Sequence, residues 1–165
     1  MTLILALETS ADICAAALVE DAEVLGVRQV AMSRGHAEAL VPMVQELAET
    51  TGIALTALDL IGVTRGPGSF TGVRTGIAAA RGFSIASGAP AIGVSSLQAV
   101  ARSVVCSVVR DGSEPAPVLC VLETRRADYF VQLFDHAGGA VGTPGVMNAE
   151  DLLRLVVAKR PILAG

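Results

Sequence analysis

The chain has 165 residues, 52% of them hydrophobic and 3% aromatic, with a formal net charge of −4 and a mean hydropathy of +0.61. That length suits one large domain or two small ones, and that apolar content excludes a disordered chain. No apolar run reaches the roughly 18 residues of a membrane helix, since Arg81 and Arg102 interrupt the longest candidates, and no basic region precedes the first apolar run as a secretory leader requires; a cytoplasmic protein is expected.

"LILAL" at 3–7 is a continuous apolar run suited to a central strand, and "ICAAALV" at 13–19 and "EVLGVRQVAM" at 23–32 read as two more. The acidic turn around Glu20 and Asp21 is short, which favours an antiparallel meander of three strands. Ser33 is the expected N-cap of a helix from Arg34 to Thr50, with Gly52 closing it. Leu40, Val44, Leu47 and Ala48 form its apolar stripe. Pro42 lies inside the pattern and removes a backbone donor, so a kink or a later start is expected. "LIGV" at 60–63 is a fourth strand, residues 71–87 a second helix ended by Gly88, and "AIGV" at 91–94 a fifth strand. "SSLQAVARSVVCSVV" reads as a third helix, with Ser95 and Gln98 at capping-box spacing.

"DGSEPAP" at 111–117 is the best linker. Beyond it the opening is repeated: "LILALETSADICAAALVED" and "VLCVLETRRADYFVQLFDH" both run strand, Leu-Glu-Thr, an Asp, strand. Either a duplicated half or a chance likeness of two hairpins explains this. The second half then offers a helix near Ala149–Lys159 with Asn148 as cap and the short run "PILAG". The expected organisation is a lobe over 1–110, a linker at 111–117 and a partial lobe over 118–165. The order β-β-β-α-β-α-β-α suggests an α/β fold with helices on a mixed sheet. By analogy of element order, it matches the ribonuclease-H-like half of actin-like and sugar-kinase proteins.

Between the fourth strand and the second helix lies "TRGPGSFTGVR". A P-loop needs a lysine after its last glycine, and the chain's one lysine is Lys159. A dinucleotide fingerprint fits Gly66 and Gly68 but meets Thr71 where the third glycine belongs, and no acid follows to hold a ribose. Pro67 removes one more donor from the cradle. Neither standard nucleotide loop is present. Gly72, Gly76, Ala79, Ala80 and Phe83 share one helix face. Interior glycine costs about 1 kcal/mol relative to alanine, so close approach of another backbone is expected to offset it. That backbone belongs either to the protein's own sheet or to a partner subunit, with the first helix beside it.

Charge is distributed unevenly. Residues 1–59 hold nine acids and two arginines, whereas residues 60–110 hold no acid and five arginines: Arg65, Arg74, Arg81, Arg102 and Arg110. A basic middle suits a polyanion or an acidic partner, or it merely keeps the surface soluble. Cys14, Cys106 and Cys120 lie in apolar runs without a CxxC pair and are expected to be reduced core thiols.

"ILALETS" at 4–10, "GHAEALVPMVQELAETTG" at 35–52, "TRGPGSFTGVRTGIAAARGF" at 64–83 and "AIGVSSLQAVA" at 91–101 together resemble the TsaB subunit family over nearly all of residues 3–101, and weakly beyond. The resemblance implies an actin-like fold of two ribonuclease-H-like lobes and a cytoplasmic, non-catalytic subunit that binds a TsaD-like catalytic subunit. With a TsaE-like ATPase, these proteins support threonylcarbamoylation of adenosine in tRNAs reading A-starting codons, from a threonylcarbamoyl-adenylate made by a separate enzyme. It also implies a homodimer through the first two helices when the subunit is alone, indirect tRNA contact, and a chain that normally continues past this point. The interface candidates are His36 and Leu40 on the first helix, Gly66, Gly68, Ser69, Phe70 and Thr71 in the loop, and Gly72, Arg74, Gly76, Ala79, Ala80 and Phe83 on the second helix.

The residues fit a non-catalytic role. Aligned on "IGV", the H-x-x-x-H metal pair of the related catalytic subunit falls on Ser96 and Val100, whose side chains cannot replace two imidazoles. His36 and His136 are far apart in sequence, so no metal is expected; His36 reads as a polar contact and His136 as a solvent-exposed turn residue. "GPGSF" is not the nucleophile elbow of a hydrolase, and an aromatic content of one Tyr and four Phe is thin for a base-stacking platform. In the "LETS" turn, Glu8, Thr9 and Ser10 could meet phosphates and hydrated magnesium, or form a polar hairpin turn retained from an ancestor. No cofactor is expected. The alternatives are an ATP-binding enzyme of the actin-like or sugar-kinase type and a metal-dependent glycoprotease-like hydrolase.

Overall fold

The period-2 pattern at the N-terminus places one face of a sheet under helices. Along β1 (Leu3–Glu8) and β2 (Ile13–Glu20), Leu3, Leu5, Leu7, Cys14, Ala16 and Leu18 are buried and their neighbours only partly so. In the computed structural model, which describes residues 1–114, 116–124, 126–159 and 161–165, the chain forms two compact units, Met1–Val94 and Ser95–Gly165.

The first unit adds β3 (Glu23–Ala31), α1 (His36–Thr51), β4 (Leu60–Thr64), α2 (Phe70–Ser87) and β5 (Ala91–Val94). The sheet order is β3-β2-β1-β4-β5. β1, β2 and β3 form the expected meander, and β4 and β5 run parallel to β1. Leu40, Met43, Val44 and Leu47 of α1, at helical spacing, close the core over Leu5, Leu18 and Ile61. Each large side chain so buried contributes about 1.5–3 kcal/mol. A short 3-10 turn over Leu55–Ala57, not anticipated from the sequence, precedes β4.

One expectation about α1 needs correction. Ser33 does not cap it: the helix begins at His36, and Gly35, in the left-handed region at φ 85°, holds the N-cap position without a side-chain bond. The helix thus starts later than Arg34, and it runs on through Pro42. The residue lies on the exposed side of a continuous helix, where water satisfies the carbonyl one turn back that loses its partner. Gly52 does close α1, at φ 71°, its N–H donating to the carbonyls of Ala48 and Glu49. Gly88 closes α2 in the same way at φ 81°.

The second unit contains α3 (Ser96–Arg110), β6 (Val118–Glu123), β7 (Tyr129–Phe134), β8 (Ala140–Met147), α4 (Ala149–Lys159) and β9 (Ile162–Ala164). Its sheet order is β8-β7-β6-β9, with β6 antiparallel to β7 and parallel to β9. This is the plan of β3-β2-β1-β4, so the second lobe is of the same type as the first, and it ends at the strand that corresponds to β4. The sequence reading grouped α3 with the first lobe; its Leu97 and Ala101 are buried against Val118, Cys120 and Phe134 of the second unit's sheet. Ser95 occupies the N-cap position of α3 but makes no capping bond, so the capping-box expectation fails. Asn148 does cap α4, accepting from the Asp151 N–H at 2.9 Å. β8 was not anticipated, because Gly142, Pro144 and Gly145 read as turn; it is an edge strand, where proline costs no ladder bond. The expected linker at 111–117 includes Pro115, which lies outside the described residues.

Cys14 and Cys120 are buried, and burial raises both thiols, Cys120 to about 11. Cys106 is exposed, contrary to expectation, because the stripe of α3 that packs inward runs through Leu97, Ala101, Val104 and Val105. No helix among the described residues is long and apolar enough to cross a membrane.

Candidate functional site at the glycine loop and the outer face of α2

Because β1 and β4 are parallel neighbours, their carboxyl ends leave the sheet on the same side. The residues that follow them, Thr9 and Ser10 after β1 and Gly66–Ser69 after β4, are thereby brought together. The Ser69 N–H donates to the Ser10 carbonyl at 2.6 Å, and the Thr9 hydroxyl donates to the Gly72 carbonyl at 2.8 Å. Thr9 is 0% exposed. The Ser10 hydroxyl and N–H both donate to the Glu8 carboxylate, the former at 2.6 Å. Ser69 is the N-cap of α2, its hydroxyl accepting from the Gly72 N–H at 3.3 Å.

Steric demand explains the glycines. A Cβ at Gly68 would overlap the Ser10 carbonyl, and one at Gly72 would overlap the Thr9 carbonyl. At Gly76 it would stand 2.5 Å from the Thr9 hydroxyl and 3.2 Å from Val63. The close approach expected from this spacing is therefore to the protein's own β1–β2 turn and β4. Gly72, Gly76 and Ala80 are buried there, with Ala79 and Phe83 packed against the same core, so a partner seam along that face is corrected to an internal one. Leu40 is fully buried within α1's core. His36 is buried too, its Nε2 lying 3.3 Å from the Ala11 carbonyl, a polar contact as expected. Gly66 is buried at φ 89°.

What remains outside is the opposite face of α2. Phe70 is 70% exposed, and the Arg74 guanidinium lies over its ring, 3.5 Å from the centroid. Thr71 and Arg81 are exposed as well, and Ile85 is 86% exposed. The side-chain ion pairs among the described residues are Arg28–Glu46 and those of Arg154 with Glu150 and Asp151; Arg65, Arg74 and Arg81 make none. Phe70 and Arg74 are expected interface residues and Arg81 belongs to the expected basic segment; Ile85, which no sequence signal singles out, completes a stripe of Phe70, Arg74, Arg81 and Ile85 at helical spacing.

The donors of the Thr9 and Ser10 hydroxyls and of the Ser10, Ser69 and Gly72 N–H groups are already given to acceptors within the protein rather than offered to a phosphate. Among the described residues, the Thr64 hydroxyl, at the end of β4, is buried without a hydrogen-bond partner. The register that pairs Leu7 with Val63 places Thr64 one step on, beside Glu8. In the second unit, Ser96 and Val100 are one turn apart on α3, Ser96 buried and Val100 half-buried in the second core. Among the described residues, no three His, Cys, Asp or Glu side chains gather as metal ligands would. His136 is exposed in the β7–β8 turn.

Comparison with known proteins gives this geometry a family. The family model described as TsaD, tRNA N6-adenosine threonylcarbamoyltransferase, matches residues 13–161. The TsaB protein of tRNA threonylcarbamoyladenosine biosynthesis from Escherichia coli K12 is 40% identical over 99 residues, covering 60% of this chain and 42% of that protein. The chain thus matches well under half the length of that relative. A crystal structure of a Pseudomonas aeruginosa protein with similarity to the peptidase YeaZ superposes with a TM-score of 0.79 at 30% identity, over 91% of this chain and 68% of the other. A hexokinase of the ROK type from Thermus thermophilus, 17% identical with a TM-score of 0.52 over 85% of this chain and 48% of its own, shares the fold alone. By the extent of the family model and the likeness to TsaB, the chain belongs to the TsaB branch of the threonylcarbamoyltransferase family.

Proposed function

We propose that this chain is a non-catalytic subunit of a tRNA-modifying assembly, docking a TsaD-like catalytic subunit that, with a TsaE-like ATPase, forms threonylcarbamoyladenosine in tRNAs reading A-starting codons. The observation that carries this reading is the division of labour around α2. The polar groups of the LETS turn are taken up by intramolecular bonds, while Phe70, Arg74, Arg81 and Ile85 stand exposed. Ser96 and Val100 at the positions of the catalytic relative's histidine pair support it, since neither side chain binds a transition metal as imidazole does. The protein works in the cytoplasm, pairs with itself when the catalytic subunit is absent, and meets tRNA through that subunit. The test is reconstitution: cognate catalytic subunit, ATPase, tRNA and threonylcarbamoyl-adenylate, with and without this chain. Modification is expected only when both this chain and the catalytic subunit are present. Undiminished modification without this chain, or modification by this chain alone, refutes the reading.

One observation favours a second reading, an ATP-binding enzyme of the sugar-kinase type. Thr64, whose hydroxyl is buried without a hydrogen-bond partner, and Glu8 lie one residue beyond the Leu7–Val63 pair, at the carboxyl ends of parallel strands, where α/β sheets bind ligands. Titration calorimetry with magnesium-ATP decides it: heat that saturates, and is lost in Thr64→Val, supports the enzyme, and none is expected if the chain is a docking subunit.

A further inference from the structure

We propose that the Phe70–Arg74 stack is the anchor of docking, entering an apolar pocket rimmed by carboxylates on the catalytic subunit; this rests on the partner-binding reading above. The small-residue face of α2 is consumed inside the molecule, so the surface offered to a partner is the reverse one. Phe70 is the first residue of α2, and its backbone is held by what precedes it: the Ser69 N–H bonds the Ser10 carbonyl, and Gly68 and Gly72 are seated against Ser10 and Thr9. A large, exposed aromatic on so rigid a base loses little freedom on binding, which is the property of a hot-spot residue. The Arg74 guanidinium carbon lies over the ring, 3.5 Å from its centroid, so ring and guanidinium present one amphipathic surface.

Charge specifies what that surface meets. Residues 60–110 contain no acid, and Arg65, Arg74 and Arg81 are exposed without a carboxylate partner among the described residues. A complementary surface therefore supplies carboxylates around an apolar socket for Phe70. A polyanion fits less well. α1, which packs alongside α2, carries Glu38, Glu46 and Glu49 and neither Lys nor Arg over His36–Thr51; all three are exposed, Glu46 paired with Arg28 and Glu38 and Glu49 without an ion-pair partner among the described residues. A nucleic-acid backbone on α2 meets that repulsion, whereas a folded protein places bases and acids opposite their counterparts.

The experiment measures affinity of the full chain for the cognate catalytic subunit by calorimetry, and for tRNA by filter binding. Phe70→Ala and Arg74→Glu are each expected to weaken protein binding about 30-fold or more. Arg81→Glu, on the same face, is expected to weaken it about tenfold, and Arg74→Lys to fall between wild type and Arg74→Glu, since it keeps the charge without the guanidinium. Unchanged melting temperatures certify that the variants fold, as all three side chains are exposed; Arg81→Glu carries the test should Phe70→Ala misfold. Wild-type binding with unaltered affinity in Phe70→Ala and Arg74→Glu overturns the anchor while leaving the partner reading intact. Variants that keep the protein partner but lose tRNA overturn it in favour of an RNA surface. Absence of binding by the wild type overturns the partner reading itself, and the anchor with it.

Discussion

The two Leu-Glu-Thr turns of the molecule begin alike and end differently. Each follows the central strand of a sheet built on the same plan, and the terminal glutamates, Glu8 and Glu123, hold equivalent places: Glu8 pairs with Ala15 and Glu123 with Tyr129 on the next strand. In the first unit the threonine is sealed. Thr9 donates to the Gly72 carbonyl and lies beneath two glycines of α2, Gly72 and Gly76. In the second, Thr124 is half-buried, its hydroxyl accepting from the exposed Arg126 N–H at 3.1 Å and its own N–H donating to the Asp128 carbonyl; Arg125 lies outside the described residues. One sequence signature is thus buried scaffolding in one place and an ordinary polar turn in the other. What decides is the element that packs on it, since polar groups that lose water require protein partners.

That contrast can be broken most forcefully at Gly72. Gly72→Val drives side-chain atoms into the Thr9 carbonyl and is expected to cost more than about 4 kcal/mol or to abolish folding of the first unit, measured by urea denaturation. Next come the threonines. Thr9→Val deletes the donor to a buried carbonyl and is expected to cost about 1–3 kcal/mol. Thr124→Val, at the matching place, is expected to stay within about 0.5 kcal/mol; equal losses at both sites would erase the distinction between the turns. Gly82, on the exposed side of α2 with nothing near its absent Cβ, supplies the opposite sign: Gly82→Ala is expected to stabilise by about 0.5–1 kcal/mol, read as a rise in melting temperature.

Smallest at ordinary pH is the contribution of the buried thiols. Cys120 ionises near 9.0 when unfolded and at about 11 in the folded chain, because burial disfavours the thiolate; Cys14 is shifted in the same direction. The folded pKa is the higher, so this stability is fully present below pH 9 and is lost as pH rises from there through about 11. Cys120→Ala is expected to flatten the alkaline limb of the stability curve. In the native state a thiol reagent should label Cys106 rapidly and Cys14 and Cys120 slowly.

Much of this was legible in the sequence because the signals were local. Gly52 and Gly88 stop their helices by adopting left-handed conformations closed to most residues, and β5 lies where its apolar run lies. What escaped was tertiary. The spacing of Gly72, Gly76, Ala79 and Ala80 announces a close neighbour, but the pattern is identical whether that neighbour is a foreign helix or the chain's own turn about sixty residues away. The stripe of α3 fits either sheet until packing chooses one. β8 was hidden by Gly142, Pro144 and Gly145, which speak of turns when read singly and are tolerated on an edge. For the candidate site, the sequence points to Phe70, Thr71 and Arg74 but not to Ile85, because most residues conspicuous in α2 are the small ones that face inward.

A helix bearing on its neighbour through glycines four apart is keyed like a shaft in a slot. Sliding it by one residue would bring Val73 and Ile77 to the places of Gly72 and Gly76, where no side chain fits. Any displacement of α2 along its axis is therefore opposed at the β1–β2 turn, where Thr9 atoms line the slot.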